Sequence, residues 1–384
     1  MINANKYKKN RKLIFSKDNA PITLSILILL VLLFLPTGFE EAIQYKSQIQ
    51  CKVEIISTDE TRIISTGLIR SGEQQCLVEI VSGELKGQRA EGSNFLNGSL
   101  ESDKIFVPGD KALAMVSQTD GEIRTINLID HYRIDKELLL ATLFIVVIIA
   151  FAGKTGVRAL LSFAITILTL WKILIPTYLR GVNPILAGVG IVAILIILCI
   201  SLVYGFDRRW LCSTLGSLGG VAITIILGVI FTDIFKIHGA VMSNSEALLY
   251  SGYQNLNLTR IFVAGTIIGA SGAFIDLSVD ISSAIAEIVE KKPTIGRREA
   301  TKSGLTIGRA AASTLTTTLL LAYSGSYISL LMVFMAQGTP LINMLNFKYI
   351  SADILDTIIG SIGVVLVAPL TAIAGGVFLT KKSV

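Results

Sequence analysis

Long uninterrupted runs of apolar residues constrain the fold of this chain more than any other feature. Segments such as 21–36, 137–153 and 183–204 contain almost no charged residue. About 20 apolar residues cross the hydrocarbon core of a bilayer as a helix. Charged residues make up only 16% of the chain and hydrophobic residues 52%, whereas a soluble domain carries about a quarter charged residues. The sequence therefore predicts a polytopic α-helical membrane protein embedded in a lipid bilayer.

The first predicted span follows a basic segment, residues 1–20. Six Lys or Arg residues stand in it, and basic residues beside an apolar run usually mark the cytoplasmic side. Contact with nucleic acid is the alternative reading of such a cluster, but we expect no nucleic-acid partner. Segment 21–38 lacks a small-residue cleavage site, so we interpret it as an uncleaved signal-anchor transmembrane helix rather than a signal peptide.

Residues 39–135 have a different, more polar character. Short alternating runs such as CKVEII (51–56) and CLVEIV (76–81) are separated by turn signals such as SGELKG (82–87) and PGD (108–110). Short alternating strands with glycine-rich turns are typical either of a small, OB-like β-barrel or of a β-sandwich. Because this segment follows a span that starts in the cytoplasm, we predict an extracytoplasmic β domain.

The remaining residues, 136–380, are predicted to form seven further spans. Basic clusters recur after alternate spans, at Arg208 and Arg209, within 290–309, and at Lys381 and Lys382. With eight spans in total, every cluster falls on one side of the membrane, as the positive-inside rule requires. Both termini are then cytoplasmic.

One of the predicted spans, the sixth, carries polar residues in an otherwise apolar helix. Asp276, Asp280, Ser283 and Glu287 are spaced at i, i+4, i+7 and i+11, which places them on one helix face. Moving a carboxylate to the centre of a bilayer costs about 2.5–3.5 kcal/mol on insertion scales. This stripe is therefore expected to face a cavity, a water path, a cation or a cationic partner helix.

Two interpretations of the stripe remain open. In the first, Asp276 and Asp280 line a path for a coupling proton or sodium ion, because neighbouring carboxylates hold both charges only with a cation between them. In the second, the acids pair with Arg309, Lys172 or a helix N-terminus and only hold the bundle together. Glu287 lies near the cytoplasmic rim, where we expect a solvated helix end.

The seventh predicted span combines hydroxyl groups with a glycine-containing break. Residues 306–327 read TIGRAAASTLTTTLLLAYSGSY, with Arg309 at the inner end. The Ser/Thr ladder and the small residues would serve either close helix packing or the lining of a pore. The YSGSY segment (323–327) indicates either a simple glycine kink or a transporter-type helix break that frees backbone carbonyls to bind ions.

Several other polar residues carry weaker signals. Cys51 and Cys76 fall in the predicted outer domain, where a disulfide is allowed, and two buried free thiols are the alternative. Asp353 and Asp356 are expected at the start of the last span, where a helix N-terminus favours acids. The two histidines are isolated, so no metal site or other cofactor is expected. Because no catalytic motif is present, we do not expect an enzyme.

Three segments of the last third carry a family resemblance: GAFIDLSVDISSAIAEI (272–288), SGLTIGRAAASTLTTTLLLAYSGS (303–326) and ISADILDTIIGSIGVVLVAPLTAIA (350–374). In order and spacing they resemble the YibE/F family of bacterial multi-span membrane proteins. The resemblance implies a bacterial plasma-membrane location and a transport-type role. One departure is Ala310, which follows Arg309 where the family pattern commonly has an acid, and this weakens the case for a functional Arg309.

Two functions follow from these patterns. The first is an ion-coupled permease for an unknown small solute or ion, with a path lined by Asp276 and Asp280. The alternative is a non-enzymatic membrane scaffold or sensor whose outer β domain binds a partner. The sequence leaves homo-oligomer formation open.

Overall fold

A computed structural model describes residues 20–39, 48–119 and 122–380. All but the last residue of the basic segment 1–20 lies outside the described residues, as do Lys381 and Lys382. The described residues form two compact units, one within 38–150 and one that comprises residues 20–37 and 151–380. Each unit has its own hydrophobic core.

The smaller unit is built mainly from strands of 4 to 12 residues whose side chains alternate between the interior and the surface. In β1, for example, Cys51, Val53 and Ile55 are buried while the residues between them are more exposed. Such alternation is what a half-buried strand requires. The strands are β1 Gln48–Asp59, β2 Ile63–Thr66, β3 Ile69–Ile80, β4 Arg89–Asn97, β5 Lys111–Thr119 and β6 Glu122–His131.

The long first strand closes this sheet into a barrel. The start of β1, Gln48–Glu54, pairs with β5, and its end, Val53–Asp59, pairs with β3. The closed order is β1–β5–β6–β4–β3–β1, with β2 added as a hairpin on β3. Among the described strands, β4 and β6 pair in parallel and the other pairs are antiparallel. The predicted barrel is therefore confirmed, and its connectivity is that of the five-stranded OB-type Greek key.

A buried polar cluster fixes the connection between β4 and β5. Gln74, fully buried on β3, donates from Nε2 to the carbonyl of Phe106 at 2.8 Å and accepts from the Phe106 amide at 3.0 Å. Asn94 donates to the Lys104 carbonyl at 2.7 Å. Buried amides and carbonyls need such partners. These bonds hold the Phe106 ring in the barrel core.

The two cysteines of the barrel do not form the disulfide that the sequence left open. Both are free and buried. Cys76 lies opposite Thr58 on β1, seven residues beyond Cys51. At about 3.3 Å per residue, that separation far exceeds the roughly 7 Å limit between the Cα atoms of a disulfide. The alternative reading, two thiols in a β core, describes the structure.

Burial raises the pKa of the Cys76 thiol from its ordinary value of 9.0 to about 11. A raised folded-state pKa favours the neutral thiol, so its stabilising effect is complete below pH 9 and is lost as pH rises toward 11. We expect the thermal stability of the barrel to fall across this range, and a Cys76→Ala variant to show a smaller fall. Circular dichroism melts of the purified protein between pH 8 and 11 measure this.

Labelling provides the companion measurement. Iodoacetamide applied without reductant should modify Cys51 and Cys76 only after denaturation, whereas a cysteine placed at exposed Ser65 should react in the native protein. A denatured protein that resists labelling at Cys51 and Cys76 until it is reduced would contradict the free-thiol assignment.

The other described elements of regular structure are helices, of which Ile134–Thr169 starts in the smaller unit and continues into the larger one. These helices are interrupted at defined points. Gly153 has a non-helical backbone (φ 54, ψ −124), and Leu170–Leu174 form a π-helical turn. The helices are α1 Ala20–Phe34, α2 Ile134–Thr169, α3 Ile175–Leu179, α4 Pro184–Tyr204, α5 Arg208–Ile234, α6 Ser245–Tyr250, α7 Leu258–Lys291, α8 Arg297–Ser324, α9 Ile328–Ala336, α10 Leu341–Leu345 and α11 Lys348–Phe378.

These helices confirm a multi-span membrane protein. Within the described residues, five helical stretches are long and apolar enough to cross a bilayer: Ile134–Leu179, α4, α5, α7 and α11. A sixth results if α8 and α9, which are bent by 64° at their junction, count as one span. Helix α1 is apolar but has 15 residues, short of the usual 17–25.

Small residues bring α5, α7 and α11 into close contact. Ser217 of α5 shares a 2.8 Å hydrogen bond with Ser278 of α7, and Ser213 donates to Ser282 at 2.8 Å. On α11, Gly363 faces the ring of Phe274. Small residues and hydroxyls at such crossings let helix backbones approach closely in lipid. The result is a bundle in which α7 is the central helix.

Gly363 gives a direct test of this packing. An added Cβ would lie 2.2 Å from Thr224 Oγ1 and 2.8 Å from Phe274 Cζ. Because overpacking lowers the free energy of unfolding by about 1–3 kcal/mol, Gly363→Ala should lower the unfolding temperature. Gly272→Ala is the matched control, because no atom lies within 4 Å of its added Cβ and alanine favours helix by up to about 1 kcal/mol. Thermal unfolding in detergent compares the two, and equal unfolding temperatures would contradict the packing.

Candidate functional site

The four polar residues of the predicted stripe lie along one exposed face of α7. Asp276, Asp280, Ser283 and Glu287 are all exposed. The opposite face of the same helix is fully buried and carries Phe274, Leu277, Ile281 and Ile285. The orientation of α7 therefore turns the acids away from the packed core of their own bundle.

Helix α4 flanks this face through Tyr204. The Tyr204 hydroxyl donates to the Val279 carbonyl at 2.6 Å and lies 2.5 Å from Ser283 Oγ. Because the phenol has one proton to donate, Ser283 is the donor in the second bond. The guanidinium of Arg209 lies 4.8 Å from the centre of the Tyr204 ring and pairs with Asp207 at 2.7 Å. This network holds the C-terminal end of α4 against the part of the stripe around Ser283.

Helix α8 runs antiparallel to α7. Gly308 lies against Ile281 and Gly304 against Ile285. Counting along this register puts Arg309 at about the height of Asp280. Even so, Arg309 is exposed, and none of the salt bridges between described residues includes Arg309, Lys172, Asp276 or Asp280.

Glu287 differs from the two aspartates. Its carboxylate pairs with Lys291 at 2.6 Å on the same helix, and both side chains are exposed. Such an i, i+4 pair is a typical solvated helix end. In the part of the chain that the structure describes, Asp276 and Asp280 have no comparable counter-charge, so the stripe divides into a paired end and an unpaired middle.

The Ser/Thr ladder of α8 is exposed and satisfied within its own helix. Thr314 donates to the Ala311 carbonyl at 2.9 Å and Thr318 to the Thr314 carbonyl at 3.1 Å. Thr316 and Thr317 line a cavity of about 540 Å³ together with Thr357 and Ser361 of α11. These hydroxyls therefore line a groove, and those of Thr316 and Thr317 donate to the Ser313 carbonyl of α8 itself.

A second pair of acids, which the sequence reading assigned to a helix start, lies inside α11. That helix begins at Lys348, so neither Asp353 nor Asp356 is in its first turn. Asp356 accepts a hydrogen bond from Thr266 Oγ1 of α7 at 2.5 Å, and Asp353 accepts one from the Tyr327 hydroxyl. The helix-dipole explanation is therefore wrong, and the acids are held by hydroxyls of other helices.

These acids sit beside the interruption between α8 and α9. A short 3₁₀ turn, Gly325–Tyr327, links the two helices, so the YSGSY segment is a helix break. A cavity of about 360 Å³ next to it is lined by Ser324, Tyr327, Asp353 and Thr357, with apolar residues around them. A broken helix beside a carboxylate and hydroxyls is an arrangement that transporters use to bind ions. No local pattern in the sequence pointed to this site, because its lining residues come from different helices.

Comparison with known families settles the relationship of the chain. The model of the YibE/F-like protein family matches residues 140–381, more than half of the chain. The chain belongs to the YibE/F-like family. The match covers α4 to α11, including both acid pairs. No curated protein and no solved structure matches the chain.

Thr266 provides a test of how Asp356 is held in this YibE/F-like protein. Thr266→Val removes the hydroxyl that donates to the carboxylate and leaves that half-buried acceptor without its partner, which costs about 1–3 kcal/mol. We therefore expect a lower unfolding temperature in detergent for Thr266→Val. Thr266→Ser keeps the hydroxyl and should stay close to the parent, and a valine variant as stable as the serine variant would contradict the contact.

Proposed function

We propose that this YibE/F-like protein is an ion-coupled permease with a carboxylate-lined path along α7, the sixth crossing. One observation carries the proposal: Asp276 and Asp280 are exposed on a membrane-crossing helix and have no cationic partner among the described residues. Ionisable residues within membrane spans are functional candidates by default, since hydrocarbon disfavours them. A mobile cation or proton supplies the missing charge.

Two features support a path rather than a single isolated site. Thr266, the partner of Asp356, precedes Asp276 by ten residues, or about 15 Å along a helix. The two acid pairs therefore occupy different depths of the membrane. The hydroxyl-lined cavities share Thr357 and extend from Asp353 along α8 and α11. These cavities place several hydroxyl oxygens and the Asp353 carboxylate along one groove between α8 and α11.

The proposed topology has eight crossings. In this scheme the Gly153 break divides Ile134–Leu179 into two crossings, and α8 and α9 form one bent crossing. Segment 21–38, which contains all of α1 except Ala20, is the signal anchor. Residues 39–135 are extracytoplasmic, residues 136–380 form seven crossings, and both termini are in the cytoplasm of a bacterium. The distribution of basic residues in the sequence supports this orientation.

The alternative, a scaffold or sensor, draws support from the surface of the barrel. Ile64, Leu68 and Phe95 are 68%, 83% and 57% exposed. Exposed large apolar side chains are common singly, but a group of them indicates a protein contact. A partner bound there would make the barrel a recruitment module, with the helices as its anchor.

Ion-linked stability separates the two functions. A coupling ion that binds the native state raises its stability by RT ln(1 + [L]/Kd), about 2.7 kcal/mol at a hundredfold excess over Kd. We expect sodium chloride, relative to choline chloride at equal ionic strength, or a lowered pH to raise the unfolding temperature in detergent. The Asp276→Asn and Asp280→Asn variants should lose this response, and Glu287→Gln, which alters the paired end, should keep it.

Transport is the second measurement. In proteoliposomes, the parent should take up sodium or protons down an imposed gradient, and Asp280→Asn should not, while inserting and purifying normally. A parent without ion-linked stabilisation, or an Asp280→Asn variant with full uptake, would remove the permease proposal and leave the scaffold.

A further inference from the structure

A cavity with charges of both signs lies at the end of the bundle where α5 ends and α7 begins. Its volume is about 360 Å³, within the size range of small-molecule sites. Ile185 of α4 lies on one wall. The other lining residues are Val229, Thr232, Asp233, Asn257, Thr259, Arg260 and Val263. Neither acid pair described above contributes to it.

Asp233 and Arg260 line this cavity without neutralising each other. The salt bridges between described residues, which extend to 4.0 Å, do not include them. Both side chains are exposed. An arginine remains charged at all ordinary pH values. Opposite charges that share a cavity but stay apart leave room for a ligand that carries both complements.

Helix ends strengthen each pole of the cavity. Asp233 is next to the last residue of α5, and the carbonyl end of a helix attracts positive charge. Arg260 lies in the first turn of α7, a helix of 34 residues whose amide end attracts negative charge. Asn257 accepts from the Arg260 amide at 3.0 Å through Oδ1, which leaves its NH₂ group as a donor.

A buried hydroxyl in the same lining also lacks a partner. Thr232 is 1% exposed, and its Oγ1 has no hydrogen-bond partner among the described residues. Buried hydroxyls are nearly always hydrogen-bonded. Together with the NH₂ group of the Asn257 side chain, Thr232 gives the cavity uncharged polar groups in addition to its two charged side chains.

We propose that this cavity binds a small zwitterion of the α-amino acid class. The ligand carboxylate lies at Arg260 and the amide end of α7, and its ammonium group lies at Asp233 and the carbonyl end of α5. Ile185, Val229 and Val263 provide an apolar wall for the ligand side chain. The site is defined by its own residues. The further step, that this zwitterion is the solute carried by the permease, rests on the proposed function.

Binding to the full-length protein in detergent tests the site. Each of the twenty common amino acids is added separately, and the unfolding temperature is recorded, since a ligand of the native state raises it. For the amino acid with the largest effect, isothermal titration calorimetry compares it with its amide, which is only a cation, and its N-acetyl derivative, which is only an anion. We expect the zwitterion to bind at least about tenfold more tightly than either.

Matched variants locate the site. Asp233→Asn and Arg260→Gln should each weaken binding by about tenfold or more. Glu246→Gln and Arg298→Gln, which change exposed charges outside the cavity, should leave it unchanged. No stabilisation by any of the twenty, equal binding of a single-charge analogue, or full binding by both cavity variants would overturn the assignment.

The binding measurements are independent of the permease proposal. Asp280→Asn should retain amino-acid binding, because Asp280 lies on a different part of α7. Binding that is lost only in the cavity variants, in a protein that shows no ion-linked stability, would retain the site and reject coupled transport. Ion uptake with no amino-acid binding would do the reverse.

Discussion

The serine and glycine contacts among α5, α7 and α11 fix the rotation of α7 about its own axis. Ser213 and Ser217 reach the hydroxyls of Ser282 and Ser278, and Phe274 packs against the backbone at Gly363. A helix whose one face is held this closely has no freedom to turn its acids inward. Asp276 and Asp280 therefore point away from the core, and the surroundings on that side determine whether their charges are balanced by water, an ion or a proton.

The two acid pairs differ in the hydrogen bonds that they receive from the protein. Asp353 and Asp356 lie between helices and accept from Tyr327 and Thr266, so the protein itself partly replaces water around them. Asp276 and Asp280 receive no such support from the described residues. Since hydrocarbon is a poor solvent for charge, Asp276 and Asp280 need water or an ion more than Asp353 and Asp356 do. This difference is the physical basis for placing an ion path on α7.

Sequence patterns predicted local features well and contacts between distant segments poorly. The i, i+4 spacing placed Asp276 and Asp280 on one face because a helix has a fixed period. Asp353 was misplaced because helix starts are set by flanking residues, and α11 begins a turn earlier, at Lys348. Asp233 and Arg260 were missed because they lie in different helices, and only folding brings them to one cavity. The absence of a Cys51–Cys76 bridge likewise depended on strand register.

The sequence alone determined that the chain is a multi-span membrane protein with a separate β domain, because apolar length and alternation are read directly from the order of residues. Tertiary structure alone decided that the barrel closes through β1, which face of α7 is exposed, and which polar groups share a cavity. Those outcomes depend on packing between segments far apart in the chain, where close contacts such as Gly363 with Phe274 select one rotation and one register among many that local patterns allow.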